Sequence, residues 1–291
     1  MKVEPECAAC LLERGYKEIA KATSDPALRF KATQEILRII SSRFGPSAVP
    51  AYLGTLRDRT IKRLTKTDPY RNERHISNQM SMKLLPKYEH IVETRKTGYE
   101  RFKMACTIST ASNVIEFDVL GHNFALDALE DIISTARLTM DHTRKIYNLV
   151  KRAESILFLP DNAGEIAFDT LLVKEIQSLG PRVTIAVKDS PILNDATLND
   201  AKEVGMDKVA DELMTIGTDS IGLLLDETSP QFRKKLAKSD HLIAKGMAYY
   251  ETLTEMKFNK PVACLFKAKC FPVAHSVGVA KDSNVALLLR R

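Results

Sequence analysis

The sequence has no long apolar run, and this absence excludes one large class of protein. No stretch approaches the roughly 18–20 consecutive apolar residues that a transmembrane helix needs, and the opening MKVEPECAAC has two glutamates and no apolar signal core. With 12 glycines, 12 prolines and 5 cysteines, the chain is not collagen-like, disordered or stapled by disulfides. An odd number of cysteines without a secretion signal is expected to be reduced thiols. We therefore expect a cytoplasmic protein that makes no membrane contact.

Charge of one sign is in excess in only one half of the chain. The 291 residues include 43 Lys and Arg against 37 Asp and Glu, a net charge of +6, and 44% are hydrophobic. Residues 1–150 hold 24 basic and 18 acidic residues, whereas residues 151–291 hold 19 of each. At about 150 residues per domain, the length favours two domains. Because the sequence pattern changes at the same place as the charge, we predict domains at 1–152 and 153–291.

The first of these domains shows helical periodicity and no strand-like alternation. Asp25 before a proline is typical of a helix start, and Gly45 before a proline is typical of a helix end. Apolar residues at helical spacing predict helices within 26–44, 52–64, 76–85, 124–136 and 146–150. Most of the excess positive charge lies in 51–100, which we interpret as a solvated helix face. We therefore expect an all-helical N-terminal domain.

The second domain alternates between apolar, β-rich runs and helical stretches. The predicted strands are 155–159, 183–187, 213–216, 241–244 and 262–266, with a possible closing strand at 285–289. The predicted helices are 165–179, 195–204, 229–236 and 249–256. Continuous apolar strands that alternate with helices are typical of a parallel sheet covered on both faces. Ligands of such sheets bind beyond the carboxyl ends of the strands.

Polar residues follow these strands one after another. Asp161 and Asn162 come after the first strand, Asp195 comes after the second, and Lys245 and Lys269 come after later ones. Two carboxylates and one carboxamide oxygen suit a hard divalent cation such as Mg²⁺ or Mn²⁺, and a metal beside a lysine suits a phosphate. A lone aspartate after a strand is more often a helix cap. Several such residues on adjacent strand ends favour a functional site.

The neighbouring residues could complete a phosphate site. Gly164 would allow close approach of the backbone, and the helix that it opens would point its positive end at an anion. Lys245 with Gly246 would provide a second anion contact. Glu165 would support a ligand or act as a general base.

Several of these segments together resemble the damage-control phosphatase family. The segments are Asp161–Glu165 (DNAGE), Asn194–Thr197 (NDAT), Lys245-Gly246 with Glu251, Asp68-Pro69-Tyr70 with Asn78, and Asn113–Asp118 (NVIEFD). Cys7-x-x-Cys10 resembles the archaeal and prokaryotic branch of that family. The resemblance implies a helical domain packed on a Rossmann-like, three-layer α/β/α domain with a mostly parallel sheet. It also implies a divalent-metal-dependent phosphatase.

The resemblance also implies roles for individual residues. Asp161, Asn162 and Asp195 would hold one divalent ion, which could be Mn²⁺, Ni²⁺, Co²⁺ or Mg²⁺. The resemblance implies that Lys245 contacts the substrate phosphate and that Asn113 lies in the same cleft, while the positions of Gly164, Gly246 and Lys269 after the strands make them further candidate phosphate contacts. Asp161, Asp195 and Glu165 would be the catalytic groups, with either a water or an aspartate as the nucleophile. The partner would be a small phosphorylated metabolite, such as a sugar phosphate, a phosphopantetheine derivative or a nucleotide, bound between the domains.

Other classes are separated by motifs that the chain lacks or has only in part. The GxGxxG of dinucleotide enzymes and the GxxxxGK[ST] of P-loop proteins are absent. An S-adenosylmethionine-dependent carboxyl methyltransferase remains an alternative, because its fold is similar and its glycine motif is loose. A second alternative is a nucleic-acid-binding module that uses the basic segment 51–100, although its few aromatics argue against nucleic acid as a partner. Cys7 and Cys10 are interpreted as a helix-face thiol pair, since a structural zinc needs about four ligands. The oligomeric state is left open.

Overall fold

The N-terminal part of the protein is built from helices, including two that begin at a side-chain cap, Asp25 or Thr97. The structure is a computed structural model that describes residues 1–113 and 126–289. Its helices here are α1 (Glu6–Ala22), α2 (Pro26–Arg43), α3 (Pro50–Thr65), α4 (Arg71–Glu93), α5 (Gly98–Ala111) and α6 (Leu126–Ser134). The Asp25 carboxylate accepts a hydrogen bond from the Ala27 amide at 2.9 Å, which confirms the predicted start of α2. None of the described helices is both long and apolar enough to cross a membrane.

The second half of the chain forms a seven-stranded sheet. Its strands are β1 (Leu138–Asp141), β2 (Ser155–Leu159), β3 (Arg182–Val187), β4 (Glu212–Thr215), β5 (His241–Lys245), β6 (Val262–Lys267) and β7 (Asn284–Leu288). Their order is β1-β7-β6-β5-β2-β3-β4. All neighbours are parallel except β6 and β7. The prediction of a mostly parallel sheet, with helices between the strands, is confirmed.

Helices and strands alternate along this half, as the sequence pattern predicted. The helices are α7 (Thr143–Val150), α8 (Glu165–Gln177), α9 (Leu198–Glu203), α10 (Met206–Val209), α11 (Pro230–Lys238), α12 (Met247–Leu253) and α13 (Phe271–Val277). A short 3₁₀ turn lies at Leu225–Glu227. One strand comes from an unexpected place, because β1 belongs to the segment that the sequence predicts to be helical, and it pairs with β7 at the sheet edge.

The central strands are buried on both faces. Ile156 and Phe158 of β2 pack into one apolar cluster, which also contains residues of α4, α5 and α8. Leu157 and Leu159, which point to the opposite face, pack into a second cluster with residues of α11 to α13. Successive side chains of a strand point to opposite faces, so this division gives three layers. The helices α4 and α5 thus cover one face of the sheet, while α1 to α3 share a smaller core of their own.

The basic segment 51–100 joins the two halves of the protein through ion pairs. Arg59 donates from Nε to Asp219 at 2.8 Å and contacts Glu227, and Lys62 lies 3.1 Å from Asp219. The expected solvated face is correct for the exposed side chains of Arg63, Lys66 and Arg71. It is wrong for Arg57 and Arg74, which are buried. Arg74 donates to Asp68 and to the Leu193 carbonyl, which holds the loop before Asp195.

Candidate active site

Backbone pairing beyond the strands brings together the three predicted metal ligands. Because β2 and β3 are neighbours, the turn after β2 lies beside the loop after β3. The Ala196 amide donates to the Asp161 carbonyl at 2.8 Å, and the Ala163 amide donates to the Asn194 carbonyl at 2.9 Å. Asn162 and Asp195 form an isolated antiparallel bridge. Asp161, Asn162 and Asp195 therefore lie side by side, and all three are buried.

Asp195 is not the cap of the helix that follows it. Thr197 occupies that position, and its hydroxyl and amide both contact the Asp200 carboxylate in a capping box. The Asp195 side chain is therefore available to the site. Burial raises its pKa to about 7, and nearby Asp161 adds to the shift, although Lys188 opposes it.

Amide side chains hold the carboxylates of the site in place. Nδ2 of Asn113, at the end of α5, donates to Asp161 at 2.9 Å and to Glu165 at 2.6 Å. Nδ2 of Asn162 donates to the same two carboxylates, at 3.2 Å and 2.5 Å. Because Asn162 uses its nitrogen in this way, its Oδ1 is the side-chain atom left to accept a hydrogen bond or to bind a cation. Asn113 thus reaches the site as predicted, while residues 114–118 of its motif lie outside the described residues.

Glu165 and Lys245 are fully buried and paired with each other. Lys245 Nζ lies 2.9 Å from Asp169 Oδ1 and 3.4 Å from Glu165 Oε2. Burial raises the pKa of Glu165, whereas Lys245 opposes the rise. For Lys245, the attraction of Asp169 and Glu165 outweighs burial, so its pKa is raised. A lysine held in this way stays charged, and it supports Glu165 from below the site.

The two predicted glycines serve close packing. Gly246 has φ +84°, and a Cβ there would lie 2.0 Å from Asp161 Oδ2. Gly164 also has a positive φ, of 80°, and its amide donates to Asn78 Oδ1 at 2.7 Å. Nδ2 of the same asparagine donates to Asp200 and Glu203, so Asn78 ties the turn after β2 to α9. The Gly164 amide therefore already has a partner within the protein.

Lys188 is a buried cation at the site, although it is not among the residues that were predicted from their positions after the strands. Its Nζ lies 3.5 Å from Asp195 Oδ2, donates to the Gly222 carbonyl at 2.8 Å and lies 4.3 Å from the centre of the Tyr249 ring. The sequence signal was its position directly after β3. Asp169 was also missed, although it lies one helical turn after Glu165 on the same face of α8.

A cavity of about 410 Å³ opens between the helices α1 and α3 and the carboxyl edge of the sheet. Its buried lining includes Asn113, Asp161, Asn162, Asp195 and Arg57, and Lys269 also contributes. Lys245, Glu165, Gly164 and Gly246 do not line it; they lie behind the lining residues. A volume of this size suits a small-molecule ligand.

The predicted thiol pair lies at the same cavity. Cys7 is buried and Cys10 is exposed, both are free thiols on α1, and both line the cavity together with Cys270 of the loop after β6. Among the described residues, no group of three or more His, Cys, Asp or Glu side chains is placed to hold a metal ion.

Comparisons with known proteins cover almost the whole chain. The model of the damage-control phosphatase ARMT1-like domain matches residues 3–285. The chain is 36% identical to a "Damage-control phosphatase" of Archaeoglobus fulgidus, covering 98% of this chain and 99% of that protein. It is 32% identical to "Damage-control phosphatase PH1575" of Pyrococcus horikoshii, covering 99% and 98%. A crystal structure of a DUF89 family protein from Pyrococcus horikoshii superposes with a TM-score of 0.87, at 30% identity and 99% coverage of both chains. The chain belongs to the damage-control phosphatase ARMT1-like family.

Proposed function

We propose that the protein is a divalent-metal-dependent phosphatase that hydrolyses phosphomonoesters of small metabolites in this cavity. The proposal rests on one observation. Asp161, Asn162 and Asp195 lie side by side and line the cavity. The names of the relatives support a phosphatase. The metal and the class of ester are inferred from the residues of this chain.

The donor set fits a hard divalent cation. Asp161 and Asp195 are two buried carboxylates on one cavity, and their proximity contributes to the raised pKa of Asp195. A divalent cation would offset this repulsion. With the Asn162 oxygen, the set offers three oxygen ligands and leaves further positions for water and substrate, as Mg²⁺ and Mn²⁺ sites usually do. When bound, such an ion polarises a phosphoryl oxygen and stabilises the negative charge of the transition state.

The protein's own residues would orient and neutralise the groups around the phosphate. Asn113 bridges Asp161 and Glu165, which fixes the direction of the Asp161 carboxylate. Lys188 lies beside Asp195, and Lys269 lines the cavity and would contact the phosphate. Lys245 would act through Glu165, whose carboxyl group it contacts. Sugar phosphates, phosphopantetheine-type esters and nucleotide monophosphates all have a phosphate and a body that this cavity could accept.

Hydrolysis assays with a matched control test the proposal. Purified protein is given p-nitrophenyl phosphate and a panel of metabolite phosphates, with Mn²⁺, Ni²⁺, Co²⁺ or Mg²⁺ and with a chelator. We expect hydrolysis that the chelator abolishes, and a loss of more than about 100-fold in Asp161→Asn and Asp195→Asn, because each removes a charge that binds the ion. Asp189→Asn is the control, since Asp189 also follows β3 but is exposed.

Three results would contradict the proposal. They are hydrolysis that the chelator leaves unchanged, no hydrolysis with any ion, and equal losses in Asp189→Asn and Asp195→Asn. Calorimetric binding of S-adenosylmethionine at the cavity would instead favour the methyltransferase.

A further inference from the structure

Arg57 is a buried cation that faces the cavity with little compensation from the protein. It lies on α3, its side chain is 4% exposed, and it lines the same cavity as Asp161 and Asp195. Its nearest acidic partner is Glu18 of α1, with 3.5 Å between Arg57 Nε and Glu18 Oε2. That contact is not a hydrogen bond, and Nε has no hydrogen-bond partner within the described parts of the chain. A buried guanidinium in this state is costly unless an anion reaches it.

The carboxyl groups behind Arg57 are weak partners for its charge. Glu18 and Asp58 are both buried, and their side chains contact each other. Burial raises the pKa of Glu18 well above its ordinary value, and the neighbouring Asp58 raises it further, although Arg57 and Lys62 oppose the shift. Lys62 itself is already bound to Asp219 and to the Pro191 carbonyl. Because no hydrogen bond joins Glu18 to Arg57 Nε, and because Arg57 lines the cavity, its guanidinium keeps donors that a ligand can use.

The packing of α1 against α3 directs the Arg57 side chain along a set path. Gly15 of α1 lies against its aliphatic part, where a Cβ would be 3.0 Å from Arg57 Cδ and 2.7 Å from Ile36 Cδ1. Any larger residue at position 15 would displace one of these side chains. The missing side chain of Gly15 thus leaves room for the stem of Arg57 as it runs towards the cavity.

We propose that Arg57 binds an anionic oxygen of the substrate, a role that deepens the proposed phosphatase function and rests on it. A guanidinium presents parallel N–H donors that match the oxygens of a phosphoryl or carboxylate group. The anion is either the phosphoryl group that is hydrolysed or a second acidic group of the same substrate. Glu18 is a positioning residue in this arrangement, because it contacts the guanidinium and not the ligand.

Binding of inorganic phosphate tests this role without requiring turnover. Phosphate is titrated calorimetrically into wild-type protein, Arg57→Gln, Arg57→Lys and Arg63→Gln, with Mn²⁺ present. We expect about 10- to 100-fold weaker binding in Arg57→Gln, as for the loss of charged hydrogen bonds. Arg57→Lys should fall in between, because it keeps the charge and loses the paired donors. Arg63→Gln is the matched control, since the exposed Arg63 lies on the same helix and its removal changes the net charge equally.

The outcomes separate the two proposals. Equal phosphate affinity in wild type, Arg57→Lys and Arg63→Gln would exclude the hydrolysed phosphoryl group as the anion that Arg57 binds, and the absence of phosphate binding by wild type would overturn the role of Arg57. Arg57→Lys decides the matter if Arg57→Gln fails to fold, as judged by circular dichroism. If no ester is hydrolysed but Arg57 variants still lose phosphate affinity, the phosphatase proposal fails and anion binding by Arg57 stands.

Turnover of two substrates identifies which oxygen Arg57 binds. Glycerol phosphate has one acidic group, whereas a sugar bisphosphate has two. An equal loss of kcat/KM for both in Arg57→Lys would assign Arg57 to the hydrolysed phosphoryl group. A loss confined to the bisphosphate would assign it to the second acidic group. No loss with either substrate would contradict the proposal.

Discussion

Replacing Gly246 by alanine should disturb the candidate metal site from behind. The new Cβ would lie 2.0 Å from Asp161 Oδ2, whereas ordinary contact starts at 3.4 Å, so one of the two groups must move by 3.4 − 2.0 = 1.4 Å. The Asp161 backbone is held by the hydrogen bond from the Ala196 amide to its carbonyl, and all three atoms of its carboxylate lie within 2.6 Å of the new Cβ, so the carboxylate is the group that would move. A shift of this size moves a predicted ligand away from its place, because metal–oxygen bonds tolerate only tenths of an ångström.

Two costs add up in this variant. The backbone of Gly246, with φ 84° and ψ 160°, lies in a region that essentially only glycine occupies, at a cost of about 1–3 kcal/mol for other residues. The overlap adds about 1–3 kcal/mol, as in overpacked cores. We therefore expect Gly246→Ala to lose about 2–6 kcal/mol in the free energy of unfolding. Mn²⁺ affinity should fall by about 100-fold, a typical effect of misplacement by 1 Å or more at an active site.

Urea unfolding and Mn²⁺ calorimetry of two variants check this reasoning. Gly205→Ala is the control, because Gly205 also has a positive φ, of 76°, but a Cβ there meets nothing within 4 Å. It should lose about 1–2 kcal/mol and keep its Mn²⁺ affinity. Removing the Asp161 carboxylate should relieve the overlap, so the loss in the free energy of unfolding caused by Gly246→Ala should be about 1–3 kcal/mol smaller in the Asp161→Ala background. If Gly246→Ala and Gly205→Ala behave alike in both measurements, the close contact with Asp161 does not position that carboxylate.

The remaining predictions concern charges away from the cavity lining. Lys245→Met should lower the free energy of unfolding, measured by urea unfolding, by about 3–5 kcal/mol, because it leaves Asp169 and Glu165 buried without a cation. The double variant Lys245→Met with Asp169→Asn should recover part of the loss. If it recovers nothing, Lys245 stabilises the protein only through packing. The pKa of Asp219 is lowered below its ordinary 3.8, because the effect of Lys62 and Arg59 outweighs that of burial. Arg59 lowers the pKa of Glu227 below its ordinary 4.5. A depressed carboxylate pKa contributes stability above the unfolded pKa that is lost as the pH falls, so thermal stability should drop below about pH 4.5. Arg59→Ala should flatten that drop and cost about 1 kcal/mol at pH 7; an unchanged acid profile would show that the ion pairs contribute nothing.

The sequence contained enough information to locate the edge of the sheet where the site lies. Runs such as 155–159 and 241–244 are short, continuous and apolar, which is typical of strands buried on both faces, and parallel strands end at one common edge. Asp161, Asn162 and Asp195 therefore had to lie close together once β2 and β3 became neighbours. Their exact pairing depends on hydrogen bonds between the backbones at 161–163 and 194–196, which no local pattern specifies.

The face of the sheet to which the Lys245 side chain points was harder to predict, although it follows from the two-residue alternation of a strand. A position at a strand end says that a side chain is near the edge, and alternation says which face it points to. Lys245 follows Ile243 by two residues, and Ile243 packs in the cluster that contains α8. The same helix carries Glu165 and Asp169 four residues apart, so both acids face the strand that bears Lys245. The alternation of the strand and the four-residue spacing on the helix together predict an ion pair inside the protein. The position of Lys245 at a strand end, taken alone, suggested a contact with substrate.

Arg57 shows that the position of a charged residue on its helix is more informative than the number of charges in the segment. As one of 11 basic residues in 51–100, it contributes to a charge run that is usually solvated. On the helix, however, it lies at the centre of the series Leu53, Arg57, Ile61, which are four residues apart and therefore share one face. The two apolar members are buried, and a side chain between them must be buried as well. A cation on an apolar stripe is shielded from solvent, so its position in the sequence calls for anionic partners. Glu18 is one such partner within the protein, and we place a second, the ligand, in the cavity between α3 and the carboxyl edge of the sheet.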